Sequence, residues 1–420
     1  MKTKLQTILL MLVSFSLCQA KETEVDLTMT ADYANDVYYK LSDGATSSYD
    51  RSLWDIAFLR TSAMNFSLRV NDGAGIQVFD VSNDPNDWSN VDVSNEASWA
   101  ELHNDETDWN LGAFDQGSAD GAYAYGWGNY NFATHHIEGD VVFVLKYADG
   151  SYIKFFCEDY YGGYTFRYSS WDGSTWSSDT TVTIPNSDNP NNMFNYYSLK
   201  NETATIAEPV IGNWDLKFTK YIADLDGAGT YYLVTGVLHS DEVTVAQNEE
   251  PSSMPANPSL SYSEEINTIG YDWKSFNMST FTYDVDSNQA FYVKYADDTV
   301  YRLYFTAFEG SSTGNISFAF EDVTSVLGIE EVSNSVSFGV YPNPSTNKKV
   351  TIVYDVNQLS SDKNEVAVYS VTGAKVFNAS LKNTSGFFNK TLDLSSLKNG
   401  IYVLKLTSGN QSATKKLVLK

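Results

Sequence analysis

Short runs of alternating apolar and polar residues, rich in Tyr, Phe and Trp, fill residues 21–330, and few stretches show helical periodicity. One such run, 141–159, alternates on both sides of Asp149-Gly150, a dipeptide suited to the positive backbone angles of a tight hairpin turn. A second run, 291–308, repeats this pattern at a shift of 148 residues. The pattern therefore predicts an all-β fold built from antiparallel hairpins.

A second motif also occurs twice, since "LWDIAFLR" at 53–60 returns as "NWDLKFTK" at 213–220. Each copy precedes an aromatic hairpin and a further aromatic strand. Because a solenoid usually needs three or more repeats, we predict duplicated β-domains or two halves of one pseudo-symmetric β-structure.

The Trp-Asp pair of this motif has two interpretations. Strand alternation places Trp54 on one face with Ile56 and Phe58, and Asp55 on the other. We interpret the tryptophans as core residues and the aspartates as acceptors for the backbone amides of a neighbouring loop. The alternative is that Trp54 or Trp214 stacks on a planar ligand.

The N-terminal residues 1–20 have the pattern of a secretory signal. Two lysines precede an apolar run that is shorter than the roughly 20 residues needed to cross a bilayer. We expect cleavage after Ala20, with lipid attachment at Cys18 as the alternative. No other apolar window of comparable length exists, so we predict no transmembrane segment. Cleavage would leave Cys157 as the one cysteine, which excludes an intramolecular disulfide.

Charge divides the chain into two parts. Residues 339–420 hold 11 lysines and four acidic residues, a net charge of +7, whereas residues 21–338 hold 14 basic and 49 acidic residues, a net charge of −35. This change of sign predicts two units joined by a linker at 327–338. Short strand-like runs predict a small β-sandwich for the tail. The acidic part is a poor partner for nucleic acid, whose phosphates it would repel.

The tail carries motifs of a known family. "VYPNP" at 340–344, "VYSVTGAKV" at 368–376 and "LSSLKNGIYVLKL" at 394–406 resemble the type A C-terminal sorting domain of the type IX secretion system of Bacteroidetes. The resemblance covers 339–420. It implies that the type IX secretion machinery is a partner, and that the protein is secreted through the outer membrane and released or held at the cell surface.

The acidic part carries motifs of a second family. "YNFATHHIEG" at 130–139 and "FVLKYADGSYIKFFCEDYYGGYTFRY" at 143–168, together with the Trp-Asp strand, resemble the HmuY family of secreted or surface haem-binding proteins. The resemblance implies two HmuY-like antiparallel β repeats, 21–200 and 201–326. It also implies non-enzymatic capture of haem, either free or from a haemoprotein, by side-chain ligands to iron.

The same resemblance implies a ligand histidine directly after the Trp-Asp strand, where this chain has Leu59 and Thr219. Neither side chain binds iron. The other donors are His135, His136 and His239, which we predict as haem-binding residues, with His135 and His136 as metal ligands. Neighbours on a strand point to opposite faces, so at most one of the pair faces a given cleft. A turn histidine bonded to a backbone carbonyl is the alternative for each.

Further donors have simpler interpretations. We interpret His103 as a solvated loop residue, and Met64 and Met278 as core residues or thioether ligands. The acidic loops at 83–96 and 224–230 could hold calcium, but neither matches a twelve-residue calcium loop, and we read both as solvated.

No His-Glu-x-x-His, Gly-x-Ser-x-Gly, phosphate-binding or dinucleotide-binding motif is present, so we predict a protein without enzymatic activity. A hydrolase with a glycosidase-type carboxylate pair is a further alternative, since carboxylates are plentiful, although nothing in the sequence singles out two of them. The aromatic loops at 123–132 and 168–178 support an alternative function on the same scaffold. Exposed rings there would suit a surface adhesin or a carbohydrate-binding module.

Overall fold

A computed structural model describes residues 22–61, 66–251, 253–255, 257–327, 338–356, 364–382, 386–408 and 411–420. The predicted signal at 1–20 lies outside the described residues, and so do residues 328–337 of the predicted linker. The chain divides into two compact units, the first ending at Leu327. Both units consist mainly of strands in antiparallel sheets, which confirms the predicted all-β fold.

The strands of the first unit follow one another with short connections. The first twelve are β1 (Thr23–Thr28), β2 (Asn35–Tyr39), β3 (Thr46–Asp50), β4 (Ile56–Leu59), β5 (Leu68–Val70), β6 (Gln77–Ser82), β7 (Ala100–Leu102), β8 (Gly128–Tyr130), β9 (Ile137–Gly139), β10 (Val142–Lys146), β11 (Tyr152–Tyr160) and β12 (Gly163–Ser170). The next eleven are β13 (Thr180–Pro185), β14 (Phe194–Ser198), β15 (Thr203–Thr205), β16 (Leu216–Asp224), β17 (Tyr231–His239), β18 (Val243–Glu249), β19 (Lys274–Asn277), β20 (Thr282–Val285), β21 (Gln289–Tyr295), β22 (Val300–Phe308) and β23 (Asn315–Asp322).

The helices of the described residues are short. The 3₁₀ turns span Ala31–Tyr33, Arg51–Leu53, Asp72–Ala74, Pro85–Asn90, Val93–Ser98 and Ala113–Gln116, and one α-helical turn, α1, spans Thr324–Leu327. Several of these turns begin at an aspartate or asparagine whose side chain accepts a backbone amide proton, which is the usual way to start a helix.

Four of the five sheets described in the first unit stack as layers around its three larger hydrophobic cores. Their strand orders are β13-β12-β11-β10-β6-β7 with β8 and β9 attached, β15-β14-β4-β5, β17-β16-β2-β3, and β1-β23-β22-β21-β18. Phe58 and Phe166 stack at 4.9 Å between the first two sheets, and Phe218 and Phe318 stack at 5.6 Å between the last two. The central core, between the two four-stranded sheets, contains Leu59 and Tyr38.

The two halves of the first unit exchange strands. The β2–β3 hairpin directly precedes β4 in the chain but pairs with β16, and the β14–β15 hairpin precedes β16 but pairs with β4. Strand β1 pairs with β23 at the far end of the unit. One sandwich is therefore built from a continuous segment, 54–205, and the other joins residues 23–50 to 216–322.

This pairing differs from a simple tandem arrangement of the predicted repeats. Three strands of the predicted repeat at 21–200 complete the sheets of the predicted repeat at 201–326. The reason is that alternation along the chain predicts a strand but not its partner, because pairing is decided by contacts distant in sequence. The boundaries themselves stay a prediction.

The tryptophans of the Trp-Asp motif are core residues, as we predicted, because Trp54 and Trp214 are 8% and 5% exposed. The predicted face was wrong. The chain bends at Asp55 and β4 begins only at Ile56, so Trp54 packs with Leu59 in the central core while Ile56 faces the first core. Strand alternation does not extend through a bend.

The second unit has seven strands in two sheets. They are β24 (Phe338–Tyr341), β25 (Lys349–Val356), β26 (Glu365–Ser370), β27 (Lys375–Ser380), β28 (Gly386–Asp393), β29 (Gly400–Ser408) and β30 (Gln411–Leu419). The sheet orders are β24-β25-β28 and β27-β26-β29-β30, with one apolar core that includes Ile352, Val366 and Leu404. This is the small β-sandwich that the tail predicts.

Candidate functional site

The loop at 131–136, which we call the histidine loop, joins β8 to β9 and carries His135 and His136. Asn131 holds it in shape: its carbonyl accepts the His135 amide at 2.8 Å, and its side chain bonds the Ala133 amide at 2.9 Å and Glu138 at 2.8 Å. His135 has a positive φ of 63°, a conformation that few side chains adopt without such support.

His136 is oriented by two neighbours on the adjacent part of the sheet. Its Nδ1 lies 2.6 Å from an Asp159 carboxylate oxygen, and its ring stacks on Tyr161 with centroids 4.4 Å apart and an interplanar angle of 3°. The side chain remains about one third exposed. A carboxylate that accepts a hydrogen bond from Nδ1 fixes the ring and leaves the electron pair of Nε2 available for a metal. Proteins commonly orient a metal-binding histidine in this way.

His135 lies beside exposed aromatic rings. Its Nδ1 is 2.7 Å from the Tyr130 hydroxyl, and Tyr130 contacts Phe132 edge-on at 4.9 Å. Phe132 also contacts Tyr123 at 4.6 Å. Tyr123, Phe132 and Tyr161 are 56%, 59% and 66% exposed, which is unusual for rings of this size. The structure thus places the two predicted site residues next to each other in one loop, each beside its own exposed aromatic rings.

His239 lies elsewhere and is fully buried. Its Nδ1 is 2.9 Å from the Ser240 carbonyl oxygen, and its Nε2 is 2.8 Å from the Glu265 carbonyl oxygen. Burial lowers the pKa of this imidazole. Since both ring nitrogens already face backbone oxygens, the predicted haem-binding role does not fit the geometry of His239.

The other predicted donors also differ from expectation. His103 is not a solvated residue: its ring lies 3.8 Å from that of Tyr231, and partial burial lowers its pKa. Met278 is 73% exposed, so the interpretation as a core residue was wrong. Met64 lies outside the described residues.

Leu59 and Thr219, at the positions where the HmuY resemblance implies a histidine, are both buried in cores. Leu59 is fully buried, and the Thr219 hydroxyl donates to Asp36 at 2.7 Å. Asp36 is also held by Arg51 at 2.6 Å. Neither side chain is exposed at the surface.

The carboxylates of the acidic loops accept hydrogen bonds within their own turns. Asp84 and Asp92 accept amide protons at the start of two 3₁₀ turns, each at 2.9 Å. Asp226 accepts the Ala228 amide at 2.9 Å and the Thr230 hydroxyl at 2.8 Å. Within the described ranges, no group of three or more His, Cys, Asp or Glu is arranged to hold a metal ion.

The β19–β20 hairpin is the counterpart of the histidine loop in the second repeat. A shift of 146 residues aligns Asn131 with Asn277 and His135 with Phe281. The Asn277 carbonyl accepts the Phe281 amide at 2.9 Å, its side chain bonds Asp284 at 2.9 Å, and Phe281 has a φ of 57°. The likeness of "NFAT" to "NMST" is a signal that sequence reasoning missed.

The comparisons with known proteins identify the tail. Residues 339–420 match the family of the secretion system C-terminal sorting domain. The predicted sorting tail is confirmed. This tail indicates handling by the type IX secretion machinery of Bacteroidetes, and the protein is therefore secreted and located at the cell surface. No described helix is long and apolar enough to cross a membrane.

The rest of the chain finds weaker matches. The comparison with curated proteins finds none. Among solved structures, the crystal structure of apo PinO from Porphyromonas gingivitis is 10% identical, covers 72% of this chain and 98% of its own, and has a TM-score of 0.20. A similarity this low assigns no shared fold.

Proposed function

We propose that the protein is a non-enzymatic, cell-surface haem-binding protein, and that the histidine loop of the first repeat receives the porphyrin. The observation that carries this proposal is the geometry of His136, whose Nδ1 is held by Asp159 while its ring rests on Tyr161. Nε2 is thereby left to bind haem iron, for which histidine is a common axial ligand.

The surface around His136 suits a planar apolar ligand. The exposed rings of Tyr123, Phe132 and Tyr161 provide faces and edges for contact with the porphyrin. Clustered exposed aromatic side chains on a soluble protein usually mark a binding surface. The resemblance of "YNFATHHIEG" to the HmuY family also supports haem as the ligand. We take His136 as the iron ligand.

The test is a titration of the purified protein with haemin, followed by absorbance. We expect a Soret shift in the wild type and a loss of at least tenfold in affinity in His136→Ala. Asp159→Asn should weaken binding about tenfold or more, because outer-shell partners of metal ligands typically contribute 10–100-fold. His103→Ala is the matched control and should bind like the wild type. A wild type without a Soret shift, or His136→Ala with unchanged affinity, would contradict the proposal.

A second candidate function uses the same surface for a carbohydrate. Exposed Tyr123, Phe132 and Tyr161 provide ring faces for sugar stacking, and Asp159 and Glu138 provide nearby acceptors. A glycan array separates the two functions. Glycan binding that is lost in Tyr161→Ala but kept in His136→Ala would support the carbohydrate ligand, and an array without hits would count against it.

A further inference from the structure

The aspartate of the Trp-Asp motif in the second repeat is fully neutralised by its neighbours. Asp215 is completely buried and accepts the Leu41 amide at 2.7 Å. The Lys40 ammonium group donates to it at 2.7 Å, and the Tyr295 hydroxyl donates as well. A buried carboxylate is stable when a cation and hydrogen bonds satisfy it in this way.

The first repeat keeps the aspartate but lacks the lysine. Tyr39 pairs with Leu216, and Tyr197 pairs with Ile56, so the strand register places Ser198 where the second repeat has Lys40. Asp55 is 4% exposed and accepts the Lys200 amide at 3.0 Å.

The Asp55 carboxylate otherwise has weak partners. The Ser198 hydroxyl lies 3.3 Å from it, and among the described residues no lysine or arginine side chain forms an ion pair with it. Burial is the main cause that raises the pKa of Asp55, and hydrogen bonds from nearby amides and from the Tyr147 and Ser198 hydroxyls offset this only in part.

A cavity of about 250 Å³ adjoins Asp55, where a lysine side chain would otherwise extend. Its wall combines the apolar surfaces of Trp54 and Ile76 with Ser198 and Tyr147. The Tyr147 hydroxyl is buried beside Asp55 and interacts with its carboxylate, as the counterpart Tyr295 does with Asp215. A buried carboxylate that has hydrogen bonds but no ion pair, beside a cavity, suits a ligand that brings a positive charge.

We propose that this cavity binds a small organic cation with a primary ammonium group, which takes the place that the Lys40 ammonium occupies in the second repeat. The ammonium would donate to the Asp55 carboxylate and the Tyr147 hydroxyl, and the alkyl part would lie against Trp54 and Ile76. The charged groups at the rim are Lys200 and Asp149, which pair with each other at 2.6 Å. Among the described residues, Asp55 is thus left without an ion-pair partner, and the Lys200 ammonium lies 4.3 Å from the centre of the Tyr147 ring.

The probe is n-butylammonium chloride, which reproduces the end of a lysine side chain, measured by saturation-transfer NMR titration of the purified protein. n-Butanol is the uncharged control. We expect saturable binding of the amine and at least tenfold weaker binding of the alcohol. Ser198→Lys should abolish amine binding, because the new side chain fills the cavity as Lys40 does, and Asp55→Asn should weaken it at least tenfold. Thermal unfolding confirms that each variant folds.

Three results would overturn the proposal: a wild type that does not bind the amine, a Ser198→Lys variant that binds it unchanged, or an alcohol that binds as well as the amine. Binding that appears only in Lys200→Ala would also overturn it, because the protein's own lysine would then be the occupant. The haem proposal is tested at His136, so the two can fail separately.

Discussion

The histidine loop and the β19–β20 hairpin have the same backbone and different surfaces. Asn131 and Asn277 make equivalent hydrogen bonds in both, and each loop has a residue with positive φ at the same place. The exposed side chains differ, since the second hairpin presents Phe281 and Thr282 where the first presents two histidines.

The difference extends beyond the loop. The strand pairing places Ala307 and Glu309 at the positions of Asp159 and Tyr161, because the bulges in β11 and β22 correspond. The histidine and both residues that orient it are therefore absent together from the second repeat. Residues that shape the backbone are the same in both repeats, whereas the proposed site belongs to the first repeat alone. The environments of Asp55 and Asp215 also differ, because Ser198 lies at the position that Lys40 has in the second repeat.

The largest effect should follow from removing residues 22–50. These residues supply β1, β2 and β3 to the second sandwich, so their loss leaves β16 and β23 with unpaired edges and an open core. We expect limited proteolysis to degrade 214–322 while 54–205 resists longer. Removal of 338–420, a separate compact unit, is the control and should leave both sandwiches resistant. Equal resistance after both truncations would contradict the strand exchange.

The next largest effect should follow from replacing the two motif aspartates, because the loss of stability should differ between the two repeats. Asp215→Ala leaves the Lys40 ammonium buried without its partner, and breaking a buried ion pair costs about 3–5 kcal/mol. Asp55→Ala removes an acceptor from one amide and one hydroxyl, which costs about 1–3 kcal/mol. Urea unfolding followed by tryptophan fluorescence measures both changes.

A second variant controls for the ion pair itself. Lys40→Met in the Asp215→Ala background should recover part of the lost stability, because no charge is then left unpaired. Equal losses of unfolding free energy in Asp55→Ala and Asp215→Ala would contradict the expected difference between the two repeats. Ser198 beside Asp55 and Lys40 beside Asp215 would then be energetically equivalent.

A pH effect should arise at Glu208, in the segment that leads to the second Trp-Asp strand. Burial raises the pKa of this carboxyl to about 7, although it accepts the Phe194 amide at 2.8 Å. Between the ordinary glutamate pKa of 4.5 and about 7, the folded state therefore keeps a proton that the unfolded state releases. The free energy of unfolding falls as the pH rises through this range. The full effect is roughly 3 kcal/mol.

Glu208→Gln keeps the acceptor oxygen and removes the titration. We expect the variant to gain stability over the wild type between pH 5 and pH 8 in urea unfolding. A difference between variant and wild type that stays constant over this range would show that Glu208 is ionised throughout.

Local patterns predicted the hairpins, the core tryptophans and the amide-binding aspartates, because each depends on residues close in the chain. The aspartate role is confirmed by the Leu41 and Lys200 amides. The partners of β2 and β14 could not be predicted, because either hairpin suits either Trp-Asp strand.

The same limit applies to the site. Adjacent histidines in an aromatic loop predicted the site's place, and the structure keeps both at the surface. Asp159 could not be predicted as a partner, because it approaches His136 through the β9–β11 pairing. His239 is a possible donor in the sequence like the others, and its full burial and its two carbonyl contacts separate it from them in the structure.

The smallest effect on stability, and the sharpest test of the comparison, is transfer of the proposed site to the second hairpin. The triple variant Thr282→His, Ala307→Asp and Glu309→Tyr changes three exposed positions, so its unfolding free energy should stay within about 0.5 kcal/mol of the wild type. The loop backbone is shared, but β9 pairs with β11 whereas β19–β20 forms a separate two-stranded sheet, so the variant tests whether the loop and the two added partners orient the new histidine as His136 is. We expect the haemin stoichiometry to rise from one to two per chain. Thr282→His alone is the control and should bind the second haemin weakly, since it lacks the carboxylate and the ring. A triple variant that still binds one haemin would show that the shared frame does not suffice to build the site.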